Sequence, residues 1–92
     1  MKITVLKTDV KEKIIYIVNA KALGNYTIQI EFNDGVERFV NFHSFLTNSQ
    51  HRSIKKYLNE ELFNSFSIID GNLIWQDYEM IFPLADLYNG KI

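Results

Sequence analysis

The strongest constraint on the fold is a stretch in which apolar and polar side chains alternate up to an Asn-Asp-Gly sequence. A period of two over residues 26–32 is typical of a strand that buries one face. Asp-Gly pairs favour the left-handed backbone of a tight hairpin loop. Residues 26–42 are therefore predicted to form a β-hairpin. The predicted inner side chains of its first strand are Tyr26, Ile28, Ile30 and Phe32.

The length of the loop decides which side chains of the second strand face the core. A two-residue loop would turn Phe39 inward, whereas a three-residue loop that ends in a left-handed Gly35 turns Val40 inward. The three-residue loop sets Glu31 opposite Glu37, which costs at most about 1 kcal/mol. Each additional buried apolar side chain contributes roughly 1.5–3 kcal/mol. The three-residue loop is predicted, with Phe39 on the outer face.

The remaining sequence predicts short elements on both sides of this hairpin. The run of β-branched and aromatic residues over 13–18 predicts a strand that is apolar on both faces, followed by a turn at Gly24. Another hairpin is predicted over 66–75, and one more strand over 78–82.

The helices are predicted from caps and spacing. Thr47, Asn48 or Ser49 can cap a helix that carries Ile54, Tyr57 and Leu58, and Asn59 can cap a second helical turn. Pro83 suits the start of a last short helix, and Gly90 its end. We therefore expect an α+β fold, with an antiparallel or mixed sheet of about five strands (two hairpins) packed against one or two short helices.

Composition places this fold in one small domain. The chain has 92 residues, of which 47% are hydrophobic and 14% aromatic, enough to fill a core. It has no cysteine, which excludes disulfides and thiolate metal sites and favours a reducing cytoplasm. No apolar run approaches the roughly 18 residues of a membrane helix. We expect a single domain over 1–92, with residues 1–12 as an N-terminal extension or edge strand.

The sequence lacks the spacings that carry familiar chemistry. His43 and His51 are the only histidines, too few for a zinc site without further suitable ligands. Ser44 adjoins His43, but neighbouring residues on a strand face opposite ways, so they do not form a nucleophile–base pair. The four glycines do not form a phosphate loop. We expect no catalytic residue, no metal and no cofactor, and a protein that is not an enzyme.

Two groups of residues remain as candidates for binding. Arg52, Lys55 and Lys56 form a small basic patch that can contact phosphate, although the net charge of −1 gives no general attraction to nucleic acid. Partner-binding candidates are exposed aromatics and the strand segment most able to pair with another chain. These candidates are Ile15, Ile17, Phe39 and Tyr78. Trp75, in contrast, is expected beneath the helical segment 51–64.

Several short motifs, in order, resemble those of the domain of unknown function 2442 family, a group of small, mostly bacterial proteins. The resemblance covers residues 18–88. Gln76-Asp77-Tyr78 departs from the family's usual Pro-Asn-Gly turn, and one residue is added before Asp86. The matching motifs are Tyr26-x-x-x-Ile30-x-Phe32-x-Asp34-Gly35, Val40, Leu62-Phe63, Ile74-Trp75, Pro83 and Asp86-Leu87-Tyr88.

The resemblance implies an α+β protein without an assigned activity or an agreed catalytic residue. Some members carry a helix-turn-helix domain, which is not expected here because the chain stops soon after Tyr88. Others are encoded beside a second small protein, which suggests toxin–antitoxin-like pairing. We therefore expect a cytoplasmic protein-interaction domain whose partner is itself or a neighbour-encoded protein. A nucleic-acid-associated accessory domain is the alternative, and neither a membrane nor a small-molecule substrate is expected.

Overall fold

The computed structural model describes residues 14–92, which form six strands and four short α-helices. The α+β class is confirmed, but the expected sheet of about five strands is instead two three-stranded antiparallel sheets. The predicted extension over 1–12 lies outside the described residues. In chain order the elements are β1 Ile17–Gly24, β2 Thr27–Phe32, β3 Glu37–Asn41, α1 His43–Asn48, α2 Arg52–Lys55, a 3₁₀ turn Lys56–Leu58, α3 Glu60–Phe63, β4 Ser67–Ile69, β5 Asn72–Trp75, β6 Met80–Ile81 and α4 Leu84–Asn89.

The first sheet has the order β1-β2-β3 and contains the predicted hairpin. The amide of Phe32 donates to the carbonyl of Val36 at 2.9 Å, and Gly35 has a φ of 91°. Glu31 pairs with Glu37, as the three-residue loop requires. Both the register and the left-handed glycine are confirmed, and Phe39 lies on the outer face, 63% exposed.

The strand predicted over 13–18 is displaced along the chain. β1 begins only at Ile17, and the described part of the preceding segment is held by the side chain of Asn33 rather than by a strand. The Asn33 Oδ1 accepts from the amide of Tyr16, and its Nδ2 donates to the carbonyl of Ile14, each at 2.9 Å. β1 continues through Lys21 to Gly24, because one face of the strand is exposed and can carry a polar side chain.

The second sheet has the order β4-β5-β6, and its hairpin turn touches the first sheet. The amide of Ile17 donates to the carbonyl of Gly71 at 2.9 Å, and the side chain of Tyr16 lies directly over Gly71. A methyl group at Gly71 would come within 2.5 Å of the Tyr16 Cβ. The two sheets therefore join through the turn between β4 and β5.

The helices follow the prediction only in part. Asn59 caps α3, since its Oδ1 accepts from the amide of Leu62 at 3.2 Å. The caps predicted at 47–49 are wrong, because the helix that carries Ile54 is α2, which begins at Arg52 after His51 and has no side-chain cap. Residues 47 and 48 instead lie in α1, which begins at His43, immediately after β3. At the start of α1 the amide of Phe42 donates to the carbonyl of Tyr26 at 2.8 Å, and the amide of His43 donates to the Asn41 Oδ1 at 2.9 Å.

Trp75 lies at the centre of the core and is completely buried, as predicted. Its ring packs edge-on against Phe42 and Phe82 and tilted against Phe63. Its indole N–H donates to the carbonyl of Phe63 at 2.7 Å, so the polar end of the ring is satisfied inside the core. The helical segment covers the second sheet through this bond and these ring contacts.

Candidate functional site

The hairpin loop and α4 meet in a cluster of aromatic and charged side chains. The Tyr88 hydroxyl donates to the Asp34 Oδ2 at 2.6 Å, and its ring packs edge-on against Phe32. The Arg38 Nε donates to the carbonyl of Tyr88 at 2.6 Å, and the guanidinium lies 5.5 Å from the ring centroid. Arg38, a charged residue on the inner face of β3, is thus paired with the end of α4.

The electrostatics of this cluster hold the phenol in its neutral form. The hydrogen bond to Asp34 raises the pKa of Tyr88, with burial as a second cause. A general base or nucleophile requires the opposite shift, towards the working pH. Asp34 also accepts from the amide of Val36 at 3.0 Å. The cluster fastens α4 to the hairpin.

A second cluster joins the 3₁₀ turn to the turn between β5 and β6. The Tyr57 hydroxyl donates to the Glu79 Oε1 at 2.7 Å, and the Lys56 Nζ lies 2.8 Å from the same oxygen. Burial, with the hydrogen bond to Glu79, raises the pKa of Tyr57 to about 12. The hydrogen bonds from Lys56 and then Tyr57 lower the pKa of Glu79. This tyrosine, too, is held protonated.

The pairing with Glu79 divides the predicted basic patch. The positive charge of Lys56 is neutralised by that carboxylate, whereas Arg52 and Lys55 lie exposed on α2. Each phosphate contact needs a cation that can replace counterions. Lys56 therefore has a carboxylate neighbour that Arg52 and Lys55 do not share, and the phosphate contact of all three stays a prediction.

The residues between β5 and β6 form a left-handed turn that displays Tyr78. Gln76, Asp77 and Tyr78 have φ values of 39°, 43° and 64°. The amide of Glu79 donates to the carbonyls of Trp75 and Gln76, which closes one turn. Such a conformation costs a non-glycine residue roughly 1–2 kcal/mol. Strain of this kind, held in place by buried neighbours, is often found at functional sites.

The predicted partner-binding residues fall into different environments. Phe39 and Tyr78 are exposed, by 63% and 53%. Ile15 is half-buried and packs against the core, and Ile17 is only 2% exposed. Ile17 faces the core because β1 begins there and its side chain lies on the same side as Ile30 and Phe32. Ile17 therefore offers no surface to a partner in this conformation.

A larger apolar surface lies on the other side of the same segment. Side chains at alternate positions face opposite sides, so the residues next to Ile15 and Ile17 point outward. Ile69 lies on the hairpin that contacts Tyr16, and shares its sheet face with Ile81 through the β4-β5-β6 register. We call these exposed side chains the outer strip. Its members are Ile14, Tyr16, Val18, Ile69 and Ile81.

The edge of β1 adjoins the outer strip. Within residues 14–92 only β2 pairs with β1 along its length, which leaves the opposite edge of residues 18–24 without a neighbouring strand. Exposed Val18 and Leu23 flank this edge. Ala20 and Ala22 face the core from it and are half-buried. The apolar run over 13–18 gave a signal for this surface, whereas Leu23 was not anticipated.

A separate cleft of about 450 Å³ lies between α1 and α2. Phe45, Ile54 and Ile92 form its apolar part, and polar side chains such as Asn48 and Gln50 surround them. His51 also lines the cleft, but His43 lies elsewhere, against the ring of Tyr26. The two histidines therefore do not converge.

No group of three or more metal-ligating side chains occurs within 14–92. Over the same residues, no helix has both the length and the apolar character needed to cross a membrane.

Comparison with known families accounts for the sequence motifs. The profile of a family described as "Protein of unknown function (DUF2442)" matches residues 17–92. The chain belongs to this family. No curated protein and no solved structure matches the chain.

The residues that carry the resemblance meet in space although they lie far apart in the sequence. Phe32, Asp34 and Tyr88 belong to the first and last of these motifs and form the cluster that fastens α4 to the hairpin. Trp75 is the centre of the core. In this chain these residues thus maintain the fold, whereas the family match begins at Ile17 and leaves two members of the outer strip ahead of it.

Proposed function

We propose that this DUF2442 protein is a protein-interaction domain of the cytoplasm, one half of a two-protein regulatory pair. Its partner is a second copy or a neighbour-encoded protein, and it has no enzymatic activity. The observation that carries the proposal is the edge of β1, which has no neighbouring strand among the described residues and is bordered by exposed apolar side chains. Strand addition at such an edge is a common mode of protein recognition.

The hydrogen-bonding pattern of the first sheet supports strand addition at this edge. The amide of Phe32 points towards β3, so Glu31 and its partner Asn19 form the adjacent pair that bonds across β1 and β2. By alternation, the backbone groups of Ala20 and Ala22 point towards the open edge. An added strand would bind these groups and cover the two half-buried alanines.

The apolar side chains beside the edge provide the binding energy that backbone pairing alone does not. Val18 and Leu23 are each about half exposed. Burying apolar surface contributes roughly 25 cal/mol per Å². A specific complex needs roughly 800 Å² on each partner, an area that requires the outer strip in addition to the edge itself.

The tyrosine chemistry supports a role without catalysis. Tyr57 and Tyr88 are the described tyrosines with raised pKa values, and both donate to a carboxylate. Each bond serves the packing of one element on another. Their environments stabilise the neutral phenol, which is the less reactive form.

The test combines co-expression with two matched surface variants. The chain is co-expressed with the product of the adjacent gene, purified, and analysed by sedimentation velocity alone and as a mixture. Val18→Lys with Leu23→Lys places charge along the edge of β1, and is expected to weaken association at least tenfold. Phe39→Lys is the control, because Phe39 is more exposed but lies on the outer face of β3.

Each outcome has a defined meaning. Loss of association in the edge variant but not in Phe39→Lys supports strand addition at β1. If both variants lose association equally, the interface lies on the outer face of the first sheet. A chain that stays monomeric at high micromolar concentration and does not retain the adjacent product would contradict the proposal.

A further inference from the structure

The cleft between α1 and α2 has the size and lining of a binding site. Its volume of about 450 Å³ falls within the range of roughly 300–1,000 Å³ that is usual for ligand pockets. Its lining comes from α1, α2, their connection and Ile92, and includes no residue of β1. None of these residues belongs to the outer strip.

The apolar part of the cleft is formed by three side chains. Phe45 and Ile92 are more than one-third exposed, and Ile54 is partly buried against the core. The other side of the Phe45 ring packs edge-on against Phe82, with a centroid distance of 4.8 Å. The ring is therefore held in place while one side stays open to a ligand.

The rim carries polar but uncharged groups. The side chains of Asn48 and Gln50 make no hydrogen bond with residues 14–92, although each amide offers both a donor and an acceptor. The Ser49 hydroxyl, by contrast, accepts from the amide of His51 at 3.2 Å and orders the connection between the helices. His51 is the only basic side chain of the lining.

We propose that this cleft binds a short, uncharged peptide segment with one large apolar side chain. The apolar side chain lies between Phe45 and Ile54, and its flanking peptide groups pair with the amides of Asn48 and Gln50. A peptide group has one donor and one acceptor, which matches a carboxamide on the rim. The inference rests on the proposed function in one respect, since the segment comes from a protein partner.

Charge and polarity exclude two other classes of ligand from this cleft. A charged group placed over Phe45 and Ile54 would lose hydration, and the lining side chains supply no carboxylate and no lysine or arginine to compensate it. A purely apolar molecule would cover Asn48 and Gln50 without binding them, which costs the desolvation of each amide. A neutral peptide with an apolar anchor avoids both costs.

The test uses N-acetyl-leucine amide, which has an apolar side chain between two peptide groups and no charge. It is titrated into the ¹⁵N-labelled full chain, and amide shifts are followed by NMR. A ligand of this size is expected to bind with a dissociation constant on the order of 1–10 mM. The expected shifts cluster at residues 44–54 and Ile92, and N-acetyl-alanine amide is expected to bind at least threefold more weakly.

The variant experiment separates the rim from the rest of the surface. Asn48→Ala with Gln50→Ala is expected to weaken binding of N-acetyl-leucine amide at least threefold. Asn64→Ala is the matched control, because Asn64 is also exposed but lies after α3, outside the cleft. Shifts scattered over the chain, equal binding of the alanine probe, or no effect of the rim variant would overturn the proposal.

This titration is independent of the proposed partner. Binding of the probe to a chain that does not associate with the adjacent gene product would retain the cleft and reject the regulatory pair. Association with the adjacent gene product through β1, without amide shifts at the cleft when the probe is added, would retain the regulatory pair and reject the cleft as a binding site.

Discussion

The loop at Asn33–Gly35 and the turn at Gln76–Tyr78 place residues in the same left-handed backbone region by different means. The first has Gly35 at the left-handed position, with a φ of 91°. Apart from its chain neighbours, no described residue lies within 4 Å of the point where a Cβ would be. The second has three consecutive non-glycine residues there, at roughly 1–2 kcal/mol each. One turn is specified locally, and the other must be held by its surroundings.

The surroundings of the second turn are strong enough to do so. It is preceded by Trp75, the most central side chain of the core, and followed by Glu79, which is bound by Lys56 and Tyr57. These two anchors lie on either side of the strained residues. The difference teaches that the backbone conformation here is set by contacts with residues about 20 positions away in the sequence.

The largest expected effect is the loss of the Trp75 anchor. Trp75→Ala removes a buried ring and its hydrogen bond to Phe63, and is expected to lower the free energy of unfolding by about 3–5 kcal/mol. Urea denaturation measures this change. An unchanged midpoint would show that the second turn does not depend on the core.

The two glycine turns provide a matched pair. Gly35→Ala is expected to cost about 1–2 kcal/mol, because only the left-handed backbone opposes the methyl group. Gly71→Ala has the same backbone cost and a clash with Tyr16, which adds roughly 1–3 kcal/mol. Chemical denaturation of both variants gives the difference. Equal losses would mean that Tyr16 moves aside freely.

The second anchor predicts a dependence on alkaline pH. Because folding raises the pKa of Tyr57 from 10.0 to about 12, its contribution to stability is present below pH 10 and is lost as pH rises towards 12. By pH 11 the wild type is expected to lose about 1.4 kcal/mol more than Tyr57→Phe. Unfolding curves between pH 8 and 11 test this, with Tyr78→Phe as a control that removes an exposed hydroxyl.

The smallest expected effect has the opposite sign. Tyr78→Gly relieves the Cβ strain of one left-handed residue but increases the entropy of the unfolded chain, so a net stabilisation of up to about 1 kcal/mol is expected. Thermal unfolding detects it as a higher Tm. A lower Tm would indicate that the Tyr78 side chain itself stabilises the turn.

The same contrast explains how much of the fold was predictable from sequence. The register of the first hairpin follows from Gly35 and the alternation of residues 26–32, both of which are local signals. The burial of Trp75 follows from the need of a small aromatic-rich chain to fill one core. These predictions are confirmed without any information about distant contacts.

The features that were missed depend on tertiary contacts. The start of α1 follows from contacts around the end of β3: the amide of Phe42 donates to the carbonyl of Tyr26, and the amide of His43 donates to the Asn41 Oδ1. The segment before β1 is bound by the side chain of Asn33, so its strand-like sequence does not produce a strand there. The expected single sheet is two sheets, because a backbone hydrogen bond at the Gly71 turn, and not a strand ladder, joins the first sheet to the second.

The candidate surfaces show the same division. Exposure of Phe39 followed from the hairpin register, and the apolar run over 13–18 pointed to the region of the outer strip. The partner-binding role of Ile17 stays a prediction, and the start of β1 turns its side chain into the core. The cleft had no signal in the sequence, since it arises from the way α1 and α2 are arranged.

The bond between Tyr88 and Asp34 also has a kinetic consequence. It joins residues 54 positions apart and therefore closes most of the chain into a loop. The entropy of closing a long loop delays such contacts during folding. If α4 docks after the folding transition state, Tyr88→Phe should speed unfolding and leave the folding rate nearly unchanged. The last helix then acts as a latch that sets the lifetime of the folded chain.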